Sequence, residues 1–212
     1  MRIVSVNTSL PKEILWEGKS VRSSIFKRPQ KGILNVGKLG VGNDTQCESK
    51  YHGGFLKAIY SYDSAYYALW KKSIDFNEWT AGMFGENLTT EGLQDDKVLL
   101  GNIYQAGTVQ FKAIQPRIPC FKLNIPFNRK DIFSRFFEMP GYGTYYQVLQ
   151  TGSLQAGDTI ELIHASDSTI SIADLVACYA TRGADQKLLK KVLNCPFFPE
   201  ELRGNFEKFL HQ

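Results

Sequence analysis

Short alternating runs of apolar and polar residues dominate the first three quarters of the chain. Alternation with a period of two is typical of strands that bury one face. The predicted strands cover residues 2–9, 21–27, 31–36, 57–62, 102–105, 108–114, 144–150 and 158–163. Ala106-Gly107 lies between two of these runs and predicts the turn of a hairpin. This part of the chain is therefore expected to be mostly β.

Helical spacing is rarer before residue 165. A helix is predicted to begin at Asp63 or Ser64, whose side chains can cap it, and to run to about Ser73. A second predicted helix covers 129–138. The long stretch 37–54 is rich in glycine and polar residues, and it predicts a loop of a length that usually has a function.

The pattern changes near Ala165. Three consecutive segments, 171–181, 185–194 and 199–210, have helical spacing and suitable residues at their first positions. The sequence thus predicts two units, a β-rich domain over 1–165 and a three-helix unit over 166–212.

The composition is typical of a globular protein and not of a nucleic-acid-binding protein. Hydrophobic residues make up 43% of the 212 residues and charged residues 22%, as in ordinary globular proteins. The net charge is only +4 and the basic residues are dispersed, which is not typical of a nucleic-acid-binding protein. An anionic small ligand fits this balance at least as well.

The chain shows neither a signal peptide near Met1 nor an apolar run of the roughly 20 residues that cross a bilayer. A cytoplasmic protein without a membrane partner is expected. The four cysteines form no CxxC pair, and in that compartment free thiols are expected. The fingerprints of dinucleotide sites, P-loops and serine hydrolases are absent from the sequence.

The strongest candidate for chemistry is the stretch QPRIPCFKL, residues 115–123. Cys120 lies next to Pro119, with Arg117 and Lys122 nearby, and such cations stabilise a thiolate. A thiolate can act as a nucleophile, a persulfide carrier or a ligand of a soft metal. The alternative is a buried cysteine that serves as a small apolar side chain.

A second candidate is the sequence His52-Gly53-Gly54 followed by Lys57. Paired glycines allow backbone N–H groups to approach an anion, and Lys57 can neutralise a phosphate. The alternative is an ordinary glycine turn with a solvated lysine and a structural histidine.

Two further positions are weaker candidates. Asn87, in the sequence FGENL, can pair with the edge of a heterocycle because an amide both donates and accepts. Arg22, with Lys27 on the same predicted strand, can face an anion. The alternatives are a turn for Asn87 and an exposed strand face for Arg22.

These motifs, in the order KYHGG (50–54), FGENL (84–88), GTVQF (107–111) and QPRIPCFKL (115–123), resemble those of the MOSC domain, named after the C-terminal region of molybdenum cofactor sulfurases. The chain is most similar to the YiiM-like branch of 6-N-hydroxylaminopurine resistance proteins. The resemblance covers about residues 1–163, and the terminal helices resemble the 3-alpha domain of that branch.

The resemblance implies a mostly β fold, a closed β-barrel with a few helices, and a pocket for the molybdenum cofactor. This cofactor is a pterin that carries a phosphate. Cys120 occupies the position of the cysteine that binds molybdenum or carries sulfur, and it is the predicted catalytic residue and metal ligand. The predicted cofactor-binding residues are Arg22, His52, Gly53, Gly54, Lys57, Asn87 and Arg117. Lys57 replaces an arginine of that branch, which favours a single charge contact over a bidentate one.

The resemblance to this family also implies a function. The leading hypothesis is a molybdenum-dependent oxidoreductase that reduces N-hydroxylated bases or related small molecules. The electrons are then expected to come from an external reductase that contains flavin or an iron–sulfur centre. Assembly of the chain into a homodimer is an open alternative. The main alternative is a sulfur or cofactor carrier with a persulfide on Cys120. A non-enzymatic binding module, docking a partner through the terminal helices, is a third hypothesis, and nucleic-acid binding is the weakest.

Overall fold

The computed structural model describes residues 1–47 and 52–211. Lys50 and Tyr51 of the KYHGG motif, and the part of the predicted loop 37–54 around them, lie outside these described residues. The strands are β1 Arg2–Thr8, β2 Lys12–Trp16, β3 Lys19–Ser23, β4 Arg28–Pro29, β5 Leu34–Gly37, β6 Gly40–Val41, β7 Ile59–Asp63, β8 Leu88–Glu91, β9 Ile103–Ala106, β10 Val109–Pro116, β11 Thr144–Gln150, β12 Gly152–Leu154 and β13 Ile160–His164.

Eight of the strands form one mixed sheet in the order β13-β9-β10-β11-β7-β8-β1-β4. The pair β7 and β8 is parallel, whereas β10 is antiparallel to both of its neighbours. Three strands, β12-β5-β6, form a second sheet, and the hairpin β2-β3 stands apart. The predicted hairpin of β9 and β10 is present, with Val109 opposite Ala106.

The predicted closed barrel is not found in the described residues. The large sheet has two ends, because β1 pairs with β8 on one side and with the short β4 on the other. Residues 157–159 lie between two elements and meet β1 only through an isolated bridge of Arg2 with Thr159 and a few backbone hydrogen bonds. The ladder therefore stops before it closes.

The helices are α1 Ser64–Ser73, α2 Ile132–Phe136, α3 Ile172–Ala180, α4 Gln186–Leu193 and α5 Glu200–Glu207. Asp63 caps α1 by accepting from the N–H of Ala65, and Ser171 forms a capping box with Asp174 on α3. The helix α2 is shorter than the predicted 129–138, because the chain before it turns at Asn128, which has a positive φ of 48°. Within the described part of the chain, no helix has the length and apolar character to cross a membrane.

The core consists of two clusters. One is largely aromatic and packs α1 and α2 onto the sheet through Tyr62, Trp70, Phe84 and Phe136. The other joins the sheet to the terminal helices, whose buried residues include Leu175, Leu189 and Phe206, in contact with a cluster that also contains Phe111 and Val148. The terminal helices thus share a core with the strands, and the domain boundary near residue 166 stays a prediction.

Candidate active site

Cys120 lies where strand β10 has ended and the chain turns into a short helix. The N–H of Arg117 still donates to the carbonyl of Gly143 on the neighbouring segment, at 3.1 Å. Three residues later Cys120 has extended backbone and caps the 3-10 helix Phe121–Asn124, its carbonyl accepting from the N–H of Leu123 at 3.0 Å. The thiol is half-buried and unbridged, so it is held by rigid backbone and remains accessible.

A cavity of about 560 Å³, counting the part that is open to solvent, extends from Cys120. Lys27, Arg117 and Lys122 all line the cavity, and none of its described lining residues is a carboxylate. We call it the cationic cavity. A second free thiol, Cys47, lies in its wall, 3.0 Å from the hydroxyl of Ser24.

Arg117 is the most unusual of the three cations. It is only 4% exposed, and its guanidinium lies 5.4 Å from the centre of the Tyr60 ring. Burial by itself lowers the pKa of Arg117, but the electrostatic influence of Tyr60, Cys120 and Tyr145 outweighs it and the pKa is raised. Its Nη1 has no hydrogen-bond partner within the described residues. A buried cation with an unused donor is a feature that an anionic ligand would satisfy.

Two tyrosines and a histidine flank the thiol. The hydroxyl of Tyr60 donates to the carbonyl of Tyr142 at 2.9 Å, and that of Tyr145 lies 3.3 Å from Nδ1 of His52. Burial raises the pKa of Tyr145 to about 12 and that of Tyr60 well above its ordinary value. Both hydroxyls therefore stay protonated at neutral pH and can donate hydrogen bonds.

Asn87 lies in the wall of the cationic cavity, but both ends of its amide contact protein atoms. Its nitrogen donates to Asp44 at 3.0 Å, and its oxygen accepts from the N–H of Tyr60 at 3.2 Å. Asp44 is also ion-paired with Lys27, whose pKa is lowered by burial in spite of that partner. Asn87 therefore fixes the floor of the cavity and positions Lys27 through Asp44.

The structure brings four of the predicted site residues to the cationic cavity: His52, Asn87, Arg117 and Cys120. Arg22 is exposed on β3, and its contact with the site is through its backbone carbonyl, which accepts from Nζ of Lys122 at 3.0 Å.

The predicted HGG turn leads away from the cavity. Gly54, with a φ of 89°, begins the 3-10 helix Phe55–Lys57, and Gly53 precedes it half-buried. Lys57 is buried and ion-paired with Glu201 of α5, at 2.8 Å. The contact of Lys57 with a cofactor phosphate stays a prediction; in this structure its Nζ contacts a carboxylate of the terminal helices.

Tyr145 lines the cavity but has no signal in the local sequence. It comes from β11 and lies opposite Gln115 in the ladder with β10, just before the cysteine motif. Only the pairing of two strands distant in sequence places it beside Arg117.

The described residues contain no group of three or more histidine, cysteine, aspartate or glutamate side chains that could hold a metal ion. A metal in this cavity would therefore need most of its ligands from a cofactor, with one thiolate from the protein.

The comparisons with known proteins agree with this arrangement. A family model, the MOSC domain, matches residues 48–161. The protein YiiM of Escherichia coli is 35% identical over 175 residues, which are 80% of this chain and 76% of that protein. The chain therefore belongs to the MOSC domain family.

Within that family its relatives are YiiM-like. The crystal structure of YiiM from Geobacillus stearothermophilus superposes with a TM-score of 0.81 at 32% identity, covering 99% of this chain and 98% of that one. A Gibberella moniliformis protein named "Reductase" is 30% identical over 182 residues, which are 84% of this chain but only 32% of the larger protein.

Proposed function

We propose that this chain binds the molybdenum cofactor in the cationic cavity and reduces N-hydroxylated small molecules, with Cys120 as the protein ligand of molybdenum. The observation that carries the proposal is the half-buried thiol of Cys120 in one cavity with Arg117, a buried cation that has an unused donor. The relative named a reductase supports redox chemistry, and membership of the MOSC family supports the cofactor.

The residues of the cavity fit such a cofactor. A pterin with a phosphate is anionic, and Arg117 and Lys122 supply positive charge in the wall of the cavity, whereas the charge of Lys27 is paired with Asp44. Arg117 suits a phosphate or a heterocycle edge because its planar guanidinium donates in two directions. Cys120 is the soft ligand that a sulfur-coordinated metal prefers.

When bound, the cofactor would supply the two-electron redox centre. Reduction of an N-hydroxylated amine consumes two electrons and two protons, breaks the N–O bond and releases the amine and water. The electrons would come from a separate reductase with flavin or an iron–sulfur centre. The chain itself would supply orientation and protons.

His52 and Tyr145 are the groups placed to handle those protons. Their side chains are 3.3 Å apart beside Cys120, and Tyr145 also hydrogen-bonds Arg117. Histidine exchanges protons near neutral pH, whereas the neutral hydroxyl of Tyr145 can relay one without a lasting charge. We propose that His52 holds the proton that is delivered to the leaving oxygen.

Metal and pterin analysis of protein purified from a host that makes the cofactor tests the proposal. We expect near-stoichiometric molybdenum in the wild type and a large loss in Cys120→Ser. The matched control is Cys47→Ser, which changes the other thiol of the same cavity and should retain the metal. Reduction of 6-N-hydroxylaminopurine with a competent donor should follow the molybdenum content. Full activity in Cys120→Ser would refute the role of this thiol.

A second candidate function is sulfur transfer, in which Cys120 carries a persulfide. The presence of a second thiol, Cys47, in the same cavity favours it, because one thiol can accept sulfur from the other. Sulfane sulfur on Cys120 in a protein that contains no molybdenum would support this function over the reductase.

A further inference from the structure

Two cations close to the ends of the terminal helices lack a counterion. Arg182 lies just after α3 and Lys208 just after α5, and both side chains are exposed. Within the described residues neither side chain forms an ion pair or a hydrogen bond. Both line one surface groove of about 1100 Å³, counting the part that is open to solvent, which we call the terminal groove. Its wall also contains Phe137, Tyr179, Asn205 and Phe209.

Aromatic rings form much of the wall of the terminal groove. Phe137, at the end of α2, is 36% exposed, and the rings of Tyr179 and Phe209 are half-buried with their centres 6.4 Å apart. No carboxylate is found among the lining residues that the structure describes; Glu138 and Glu207 are sequence neighbours of this wall but do not line it. Aromatic side chains and arginine are enriched where proteins bind other proteins. The groove therefore combines apolar rings with uncompensated positive charge.

The backbone of Arg182 supports a role for its side chain outside the fold. Its φ is 49°, in the left-handed region that residues with a Cβ rarely adopt. Glycine would adopt this conformation without strain, as Gly183 does at the next position with a φ of 73°. Strained positions are concentrated at functional sites. An arginine in a strained position, without a partner for its charge in the described fold, indicates a partner on another molecule.

The terminal groove leads toward Cys120 through one further space. Tyr179 and Asn205 line the groove and also line a cleft whose other wall contains Cys120 and Tyr145. Cys120 and Tyr145 in turn separate this cleft from the cationic cavity. A protein docked in the groove would thus be separated by a single layer of side chains from the cleft that reaches the proposed metal ligand.

We infer that the terminal groove docks the acidic face of a flavin-containing electron-transfer protein, with Arg182 and Lys208 as the cationic contacts. That this partner is the electron donor rests on the proposed function. A fully reduced flavin gives up two electrons and two protons and becomes oxidised, while the N–O bond of the substrate breaks and amine and water form. The reaction therefore balances without a further reductant.

The surface matches such a partner in two ways. The apolar benzenoid edge of an exposed flavin suits the aromatic wall formed by Phe137, Tyr179 and Phe209. Electron-transfer encounters bury less surface than stable complexes and depend on complementary charge, which Arg182 and Lys208 supply. An affinity that falls with ionic strength is therefore expected.

Surface plasmon resonance with an immobilised flavodoxin, a small acidic FMN protein, tests this inference at about 20 mM and about 200 mM salt. Kd should rise about threefold in Arg182→Gly and in Lys208→Gln, and about tenfold in the double variant. Arg182→Lys keeps the charge and should bind like the wild type. Lys72→Gln, at an exposed position of α1 outside the groove, is the matched control and should leave Kd unchanged.

Two checks show that any loss of binding comes from the lost charge. Arg182→Gly should not lower the melting temperature, because glycine suits the left-handed backbone at this position. Reduced methyl viologen, a small cation, donates electrons without docking. It should therefore drive reduction of 6-N-hydroxylaminopurine equally well in the wild type and in Arg182→Gly, whereas KM for reduced flavodoxin should rise in the variant.

The outcomes separate this inference from the proposed function. Flavodoxin that does not bind, or binds equally well to the double variant, overturns the docking surface, and turnover with methyl viologen would leave the proposed function intact. Weaker flavodoxin binding in the double variant supports the docking surface, even if the protein contains no molybdenum and the proposed function fails. A single-stranded oligonucleotide that binds more tightly than flavodoxin, and is lost in the same variants, would assign the groove to nucleic acid and overturn the inference.

Discussion

Asp95 holds the turn at Tyr142 and Gly143 that contacts the candidate site, and the titration of its carboxyl group gives a quantitative test of the structure. The carboxylate is 2% exposed and accepts from the N–H groups of Tyr142, at 2.7 Å, and Gly143, at 3.2 Å. The carbonyls of these same two residues hold the hydroxyl of Tyr60 and the N–H of Arg117. Asp95 is therefore a positioning residue for the cationic cavity.

Burial raises the pKa of Asp95 from 3.8 to about 6, in spite of the hydrogen bonds, which lower it. The folded protein thus binds this proton more tightly than the unfolded chain does. The contribution of Asp95 to stability is fully present below pH 3.8 and is lost as the pH rises through about 6. At 1.36 kcal/mol per pKa unit the whole effect is about 3 kcal/mol, of which about 2 kcal/mol falls between pH 4.5 and 7.5.

The assay is urea unfolding, followed by circular dichroism, of the wild type and Asp95→Asn at a series of pH values from about 4.5 to 7.5. Asparagine does not titrate, so the difference in the free energy of unfolding isolates the carboxyl group. We expect the wild type to lose about 2 kcal/mol relative to the variant as the pH rises over this range. Asp96→Asn, the same change at the exposed neighbouring position, should give a smaller difference over this range, because the charge of Asp96 contributes less than burial to the raised pKa of Asp95.

A flat difference for Asp95→Asn, or one in which the wild type gains stability with rising pH, would refute this reasoning. It would mean that the hydrogen bonds from Tyr142 and Gly143 stabilise the charged form by at least as much as burial disfavours it. The turn under Arg117 would then be held by a carboxylate that is ionised throughout the range.

Other substitutions test the strain and charge around the site. Arg117→Met should abolish retention of the pterin, because it removes the buried guanidinium from the wall of the cationic cavity; pterin that copurifies at the wild-type level would contradict this. Gly143→Ala should cost at least about 3 kcal/mol in urea unfolding, because φ is 73° and a Cβ would lie 2.3 Å from a carbonyl oxygen. Gly157→Ala, where φ is 95° but no atom lies within 4 Å, should cost about 1–2 kcal/mol. Lys27→Met should cost about 3–5 kcal/mol because it leaves the buried carboxylate of Asp44 without its cation, and Asp44→Asn in the same chain should recover part of the loss.

Much of the fold could be predicted from local patterns. The hairpin of β9 and β10, the strand β11 and the three terminal helices follow from periodicity and from capping residues such as Ser171 and Asp185. The strands β2 and β8 were not predicted. β2 is mostly exposed, so its apolar residues do not mark a face, and β8 is buried through threonines that resemble loop residues.

The prediction of a closed barrel is wrong because barrel closure depends on contacts between distant strands, which local sequence patterns do not show. Closure depends on whether the first and last strands of a sheet pair along their length, and here β1 and the residues before β13 share a single bridge. The short β4 pairs with residues 7 and 8 of β1, and residues 157–160 meet only residues 1–3 of the same edge, so no strand continues the ladder between them.

The proximity of candidate residues could be predicted where they are close in sequence. Arg117 and Cys120 lie in one motif, and both line the cationic cavity. The contact of Lys57 with Glu201 could not be predicted, because Glu201 is far away in the sequence and belongs to a different element. Charge alone cannot reveal which of several carboxylates or ligands a lysine will meet.

The ladder between β10 and β11 contains an irregularity that bears on how this site can change over time. Ala113 pairs with Tyr146 and Gln115 with Tyr145, so one residue of β10 is left over just before the cysteine motif. Side chains on a strand alternate between its faces, and this extra residue sets which of them point toward the two spaces around Cys120. Loss of the codon for Ile114 would remove the extra residue and change the bend of β10 just before the cysteine motif, while leaving every motif letter intact. Descendants of this chain can therefore vary the residues of that segment more freely than they can vary its length.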